Sequence, residues 1–129
     1  MKKSWILVLL AALLLAGCGK QTVKTQEAAL MNITAEAAKK LMDSESGYVI
    51  LDVRTEQEYA QGHIPGAILI PDYEISEKAE AVLTDKDQLI LVYCRSGRRS
   101  KNAAAQLEEM GYTRIREFGG ILDWPYETE

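Results

Sequence analysis

Short apolar runs recur along the chain between amphipathic or polar stretches. Most of these runs are nearly continuous rather than alternating, which is typical of parallel strands that are buried on both faces. The run at residues 88–93 is the clearest of them. The predicted strands cover residues 32–33, 48–53, 67–70, 88–93 and 114–118.

The stretches between these runs carry helix signals. Thr34 can cap a helix with Glu36 in its first turn, and Thr55 and Glu58 fit the capping-box pattern of a second helix. Strands that alternate with helices indicate an α/β domain, and we expect a mainly parallel central sheet of about five strands flanked by helices on both faces. The predicted helices cover residues 34–42, 55–61, 74–83 and 99–110, with a helical turn at residues 121–126.

The first 17 residues follow a different pattern. Lys2 and Lys3 precede twelve apolar residues at positions 5–16, and small residues follow. A charged start, an apolar centre and a small-residue exit are typical of a secretory signal. The apolar run is shorter than the roughly 20 residues that a spanning helix needs. A core helix of the domain is the alternative, although this run has no polar face to present to water.

The end of this signal, Leu15-Ala16-Gly17-Cys18, resembles the lipobox of bacterial lipoproteins. The resemblance implies that the signal is cleaved before Cys18 and that this cysteine carries acyl chains such as palmitate, which together give stable membrane anchoring. Cleavage to a soluble exported protein is the alternative. We expect a signal peptide at residues 1–17, a lipidated N-terminus and polar tether at 18–31, and an exported domain at 32–129, held at the outer face of the cell membrane or the periplasmic side of an outer membrane.

The composition is that of a globular protein, with 47% hydrophobic and 26% charged residues. The net charge is −4, and the only basic cluster is the short Arg-Ser-Gly-Arg-Arg run at residues 95–99, so nucleic acid is not an expected partner. One histidine and one cysteine beyond Cys18 are too few ligands for a metal site, and no glycine-rich nucleotide loop is present. We therefore expect neither a metal nor a cofactor.

Cys94 follows the clearest predicted strand and precedes a tight loop and a helix. Ligands of open α/β sheets bind at the carboxyl ends of the strands. Backbone N–H groups in such a loop can form an anion nest, and the helix N-terminus and the arginines of the loop carry the same positive sign. We therefore expect the pKa of the Cys94 thiol to lie below its free value of about 8.5. A buried and inert cysteine is the alternative.

Four segments of the domain resemble, in the same order, the signatures of rhodanese-like sulfurtransferases. The CRSGRRS segment is similar to the active-site loop of that family, with four residues between its cysteine and its arginine. The resemblance extends over about residues 32–124. The four segments are Asp-Val-Arg with Glu-Tyr at residues 52–59, Gly-His-Ile-Pro-Gly-Ala at 62–67, the loop at 94–100, and Phe-Gly-Gly-Ile-Leu-Asp-Trp at 118–124.

This resemblance implies a function for Cys94. The cysteine would accept a sulfane sulfur, become a persulfide and pass the sulfur to a thiophilic acceptor. The backbone amides of the loop would hold the sulfur anion, and the donor would be a small sulfur-containing anion such as thiosulfate. Asp52, Arg54 and His63 would support the site structurally. The predicted substrate-binding residues are Arg95, Ser96, Gly97, Arg98 and Arg99.

Other functions are compatible with the same sequence. A non-catalytic persulfide carrier, or a sulfur- or redox-sensing interaction module, would keep the same loop and could serve a membrane-bound sulfur acceptor protein. Cysteine phosphatases of related architecture have one more residue between cysteine and arginine, which gives a wider nest for phosphate. A Cys/His couple could also indicate a thiol protease. The position of His63 in the Gly-His-Ile-Pro-Gly-Ala segment points instead to a structural residue in a tight turn.

Overall fold

The computed structural model describes residues 27–129, so the predictions for the signal peptide and for Cys18 lie outside the described residues. Five strands form one sheet in the order β1-β5-β4-β2-β3, and every neighbouring pair is parallel. The predicted α/β architecture is confirmed. The strands are β1 (Leu30–Asn32), β2 (Val49–Asp52), β3 (Ile68–Leu69), β4 (Ile90–Cys94) and β5 (Ile115–Gly120).

Two of the helices begin where the sequence places their caps. The Thr34 hydroxyl accepts a hydrogen bond from the Ala37 N–H, and Thr55 and Glu58 form the predicted reciprocal capping box. Among residues 27–129, no helix has the length and apolarity to span a membrane. The helices are α1 (Ala35–Ser44), α2 (Glu56–Gln61), α3 (Ile75–Val82) and α4 (Arg98–Glu109), with 3-10 turns at Asp72–Glu74 and Ile121–Asp123.

Side chains on the two faces of the sheet form two separate cores. Along β4, Ile90, Val92 and Cys94 pack on the face that α3 and α4 cover, whereas Leu91 and Tyr93 pack on the face that α1 covers. All five residues are fully buried, which explains why this run is continuously apolar in the sequence. Burying each large side chain contributes about 1.5–3 kcal/mol to stability. The central strand therefore supports the loop after Cys94 rigidly.

The first strand starts two residues before the predicted domain boundary at residue 32. The Ile115 N–H donates to the Ala29 carbonyl, and the guanidinium of Arg116 donates to the same carbonyl at 3.2 Å and to the Glu27 carboxylate at 3.0 Å. Arg116 is buried, with 6% of its surface exposed. These contacts hold the start of the described chain at the amino-end edge of the sheet. Ile115 and Arg116, the first two residues of β5, supply them.

Candidate active site

Cys94 is the last residue of β4 and lies at the carboxyl-end edge of the sheet. The chain turns at once into α4, and Gly97 makes the turn with a φ of 103°, a conformation that side-chain-bearing residues rarely adopt. The Gly97 N–H then points back at the cysteine and donates to its Sγ at 3.0 Å. The loop thus folds over the sulfur, as the sequence predicts for an anion nest.

Two consecutive glycines of β5 form the surface on which this loop rests. Between the Val92–Glu117 and Cys94–Gly120 pairs, one residue of β4 faces two of β5, so β5 bulges here. A Cβ at Gly120 would overlap the backbone of Arg95 and Ser96. The Arg95 carbonyl also accepts a hydrogen bond from the Leu122 N–H at 3.2 Å. The Gly-Gly pair is visible in the sequence, but its role as the support of the loop depends on this tertiary contact.

Hydrogen bonds set the ionisation of Cys94. Burial alone raises the pKa of the thiol, but the Ser100 hydroxyl and the backbone N–H groups of Ser100, Gly97 and Ser96 outweigh it, so the pKa lies below its ordinary value. The direction agrees with the prediction from the sequence. The main causes are hydrogen bonds, however, rather than the charges of the arginines. Cys94 has no surface exposed to solvent, so a reactant reaches the sulfur only when loop side chains move.

Ser100 and Glu117 extend this hydrogen-bond network from the Cys94 sulfur to a buried carboxylate. The Ser100 Oγ lies 3.3 Å from the Cys94 Sγ and 2.6 Å from Oε1 of Glu117. The same carboxylate oxygen accepts the Gly119 N–H at 2.8 Å. Both side chains are buried, with 2% of Glu117 exposed. Glu117 was not predicted from the sequence, because it lies 17 positions from Ser100 and only the pairing of β4 with β5 brings them together.

Arg99 has a partner within the protein. Its guanidinium donates to both carboxylate oxygens of Glu58, at 2.7 and 2.9 Å. This contact lowers the pKa of Glu58 to about 2. The sequence predicts Arg99 as a substrate-binding residue, whereas the structure directs its charge to Glu58 and ties α4 to the start of α2. Glu58 was predicted only as a helix cap, and its second role required the fold.

The predicted supporting residues hold the neighbouring loops. Arg54 binds Asp52 with its Nε and Nη2, and Nη2 also donates to the Gly62 carbonyl at 2.6 Å. The Tyr93 hydroxyl donates to Asp52 at 2.7 Å and accepts the Ile64 N–H at 3.0 Å. These bonds link β2 and β4 to the segment at residues 62–64.

His63 lies in this segment and acts as a structural contact. Its ring stacks on Tyr59 with the centroids 3.8 Å apart, and its Nδ1 lies 3.0 Å from the Tyr59 carbonyl. Its Nε2 lies 3.3 Å from the Glu129 carboxylate. No hydrogen bond joins it to Cys94 within residues 27–129, so the geometry there does not form a Cys/His couple. Within the same residues no cluster of side chains is suited to hold a metal ion.

A cavity of about 290 Å³ opens beside the loop. Its positive groups are Arg54 and Arg95, which follow the ends of β2 and β4. Arg98 is exposed and is not part of its lining. Of Arg95 and Arg98, only Arg95 therefore lines this cavity. A larger cavity of about 570 Å³ lies between α1 and Trp124 and contains no residue of the loop. The smaller cavity is lined by Arg54, Glu58, Gln61, Gly62, Arg95, Ile121 and Thr128.

Comparison with known proteins gives consistent matches. The sequence model described as the rhodanese-like domain matches residues 34–126. The Escherichia coli (strain K12) protein named thiosulfate sulfurtransferase PspE is 42% identical over 73 residues, which cover 57% of this chain and 70% of that protein. A protein of Allochromatium vinosum named sulfurtransferase is 39% identical over 88 residues, covering 67% of this chain and 79% of that protein. A solved structure described as a rhodanese with anions from E. coli has a TM-score of 0.60 and 38% identity, covering 64% of this chain and 96% of that one.

Proposed function

The chain belongs to the rhodanese-like domain family, and from this premise we propose that it is a sulfurtransferase that moves a sulfane sulfur through a persulfide on Cys94. The observation that carries the proposal is the position of the Cys94 sulfur, which lies at a strand end under a loop whose N–H groups point at it. Relatives named as sulfurtransferases support the reaction class. We further propose thiosulfate, or a similar anion, as the donor.

The proposed reaction consists of two displacements at sulfur. The Cys94 thiolate attacks the outer sulfur of thiosulfate, a new S–S bond forms at Cys94, and sulfite leaves with the electron pair of the S–S bond that breaks. A thiophilic acceptor such as cyanide then attacks the outer sulfur of the persulfide. The bond between the Cys94 Sγ and the outer sulfur breaks, and the Cys94 thiolate is restored as thiocyanate leaves. Covalent catalysis of this kind divides one difficult transfer into two easier steps.

The cavity beside the loop suits the charged end of such a donor. Guanidinium groups bind oxyanions through their N–H donors, and Arg54 and Arg95 both line this cavity. Arg54 is held rigidly because its Nε and Nη2 bind Asp52. Arg95 is exposed. We propose that Arg54 fixes the sulfonate group while Arg95 moves aside to admit the outer sulfur to Cys94.

Intact mass measurement tests the proposal directly. The full chain with Cys18→Ser has Cys94 as its single thiol, because the sequence contains two cysteines. We expect thiosulfate to add the mass of one sulfur atom and cyanide to remove it as thiocyanate. The matched control adds Cys94→Ser to the same chain and should gain no mass. A folded protein with a reduced Cys94 that gains no mass from thiosulfate or polysulfide would refute the persulfide.

Turnover separates the enzyme from the carrier alternative. With excess thiosulfate and cyanide, an enzyme releases many equivalents of thiocyanate for each protein molecule. A carrier that needs a specific acceptor protein becomes loaded but transfers its sulfur to cyanide only slowly, so it releases little thiocyanate over the same time. Hydrolysis of an aryl phosphate that is lost with Cys94→Ser would favour the phosphatase alternative instead.

We also propose that the exported chain is anchored through acylated Cys18, on the basis of the lipobox resemblance. In bacterial cells the unaltered chain should then separate with the membrane fraction, and Cys18→Ala should abolish this association. Cys94→Ser is the matched control and should stay in the membrane fraction. Persistent membrane association of Cys18→Ala would contradict lipid anchoring.

A further inference from the structure

The Ser100 hydroxyl has a single proton and several acceptors around it. The Cys94 thiol donates to the Ser100 Oγ, and the Ser100 hydroxyl in turn donates to Glu117 at 2.6 Å. The carbonyl oxygens of Gly97 and Gly119 lie 3.1 and 3.3 Å from the same hydroxyl. When Cys94 loses its proton, its sulfur becomes one more acceptor. The hydroxyl cannot then donate to both the thiolate and the carboxylate.

Glu117 is the closest of these acceptors and should be the strongest acceptor of the Ser100 hydroxyl proton. It is almost fully buried, and a buried carboxylate depends on the donors that the protein supplies. Its partners across the sheet, Asn32 on β1 and Val92 on β4, bring no charge. The arginines that directly precede Ser100 and Glu117 in the chain are paired with other carboxylates, because Arg99 binds Glu58 and Arg116 binds Glu27. Asp72 adds a further negative charge on the Arg99 side.

We propose that Glu117 is a positioning residue for sulfur transfer, which competes with the Cys94 thiolate for the Ser100 proton and thereby weakens the hydrogen bond from Ser100 to the sulfur. This inference rests on the proposed function. In the persulfide the negative charge moves one bond outward, to the transferred sulfur, and the Cys94 Sγ no longer competes for the Ser100 proton. Glu117 therefore favours the loaded protein over the empty one. It also keeps the empty thiolate a stronger nucleophile, because nucleophilicity increases with thiol pKa.

The test compares four forms of the full chain, all with Cys18→Ser: otherwise unaltered, Glu117→Gln, Ser100→Ala, and both changes together. The ultraviolet absorbance of the thiolate, followed against pH, reports Cys94 alone. Glutamine can still accept the Gly119 N–H but carries no charge, so Glu117→Gln should lower the midpoint of this titration by about one pH unit. In the Ser100→Ala chain the same change should have a much smaller effect, because the hydroxyl that links the two groups is gone.

A second readout concerns the loaded state. At a fixed ratio of thiosulfate to sulfite, intact mass gives the equilibrium between empty and loaded protein. We expect Glu117→Gln to reduce the equilibrium constant for loading by up to about tenfold, in proportion to the midpoint shift. A residue that only packs the fold would change stability and leave both readouts unaltered.

The outcomes separate this inference from the proposed function. An unchanged thiolate midpoint in folded Glu117→Gln, or a shift of equal size with and without Ser100, overturns the role of Glu117 whether or not persulfide forms. Absence of persulfide in the unaltered chain refutes the proposed function, while the titration still decides the coupling. If Glu117→Gln does not fold, the side-chain ¹³C carboxyl resonance of Glu117 in the Cys18→Ser chain replaces it. A resonance that stays constant through the Cys94 titration overturns the proposal.

Discussion

Two arginine–carboxylate pairs flank the reactive loop, and they differ in their exposure to solvent. In the Arg54–Asp52 pair, 6% of the arginine side chain and none of the aspartate side chain is exposed. In the Arg99–Glu58 pair the exposed fractions are 29% and 23%. Both pairs are bidentate, so their geometry is similar. We therefore expect burial, rather than the number of hydrogen bonds, to make the Arg54–Asp52 pair contribute more to stability than the Arg99–Glu58 pair, which ties α4 to the start of α2.

Breaking the buried pair should have the largest effect. Asp52→Ala leaves the charge of Arg54 buried without its partner and removes the acceptor of the Tyr93 hydroxyl. We expect a loss of about 3–5 kcal/mol in the free energy of unfolding, measured by urea denaturation. Asp43→Ala, which breaks the exposed Lys39–Asp43 pair, is the control and should cost less than about 1 kcal/mol. Equal losses in the two variants would contradict the importance of burial.

Displacing the loop while leaving both ion pairs intact should have an intermediate effect on stability. The Cβ of Gly120→Ala would overlap the backbone of Arg95, so the loop must move. We expect a loss of about 1–3 kcal/mol in stability and at least a 100-fold slower persulfide formation by mass measurement. Gly47→Ala is the control, because it strains a positive φ with no atom in the way and lies far from the loop. Rapid persulfide formation in folded Gly120→Ala would show that the loop position is unimportant.

Breaking the partly exposed Arg99–Glu58 pair should have the smallest effect on stability. Glu58→Gln weakens the contact with Arg99 and the capping box, and we expect a loss of about 1 kcal/mol near neutral pH. The folded-state pKa of Glu58 is about 2, below its unfolded value, so its contribution is present above about pH 4 and is lost as the pH falls towards 2. Urea denaturation across this range should show a smaller acid-dependent loss in Glu58→Gln than in the unaltered chain.

Glu56→Gln is the matched control for this pH series, because Glu56 is exposed in the first turn of the same helix and has no ion pair among the described residues. It should reproduce the acid dependence of the unaltered chain. A pH dependence in Glu58→Gln that is identical to that of the unaltered chain would exclude Glu58 as the group responsible.

The sequence predicts the elements well because their signals are local. Apolar runs locate the strands, and Thr34, Thr55 and Glu58 mark helix starts that the structure confirms. The position of Cys94 at the end of β4 follows from the same pattern. The contacts of Arg99 with Glu58, and of Ser100 with Glu117, join residues 41 and 17 positions apart. They depend on the order of strands in the sheet, which no local pattern specifies.

The contacts of Arg116 with Glu27 and Ala29 determine at which edge of the sheet the incoming chain reaches the domain. They hold the incoming chain at the amino-end edge of the sheet, and Cys94 lies at the opposite edge. Five residues of β4 separate these edges by roughly 17 Å. Nine residues at positions 18–26 can add at most about 30 Å when fully extended. A chain anchored at Cys18 would therefore keep its Cys94 sulfur within roughly 50 Å of the bilayer, at the sheet edge opposite to the one where the tether enters.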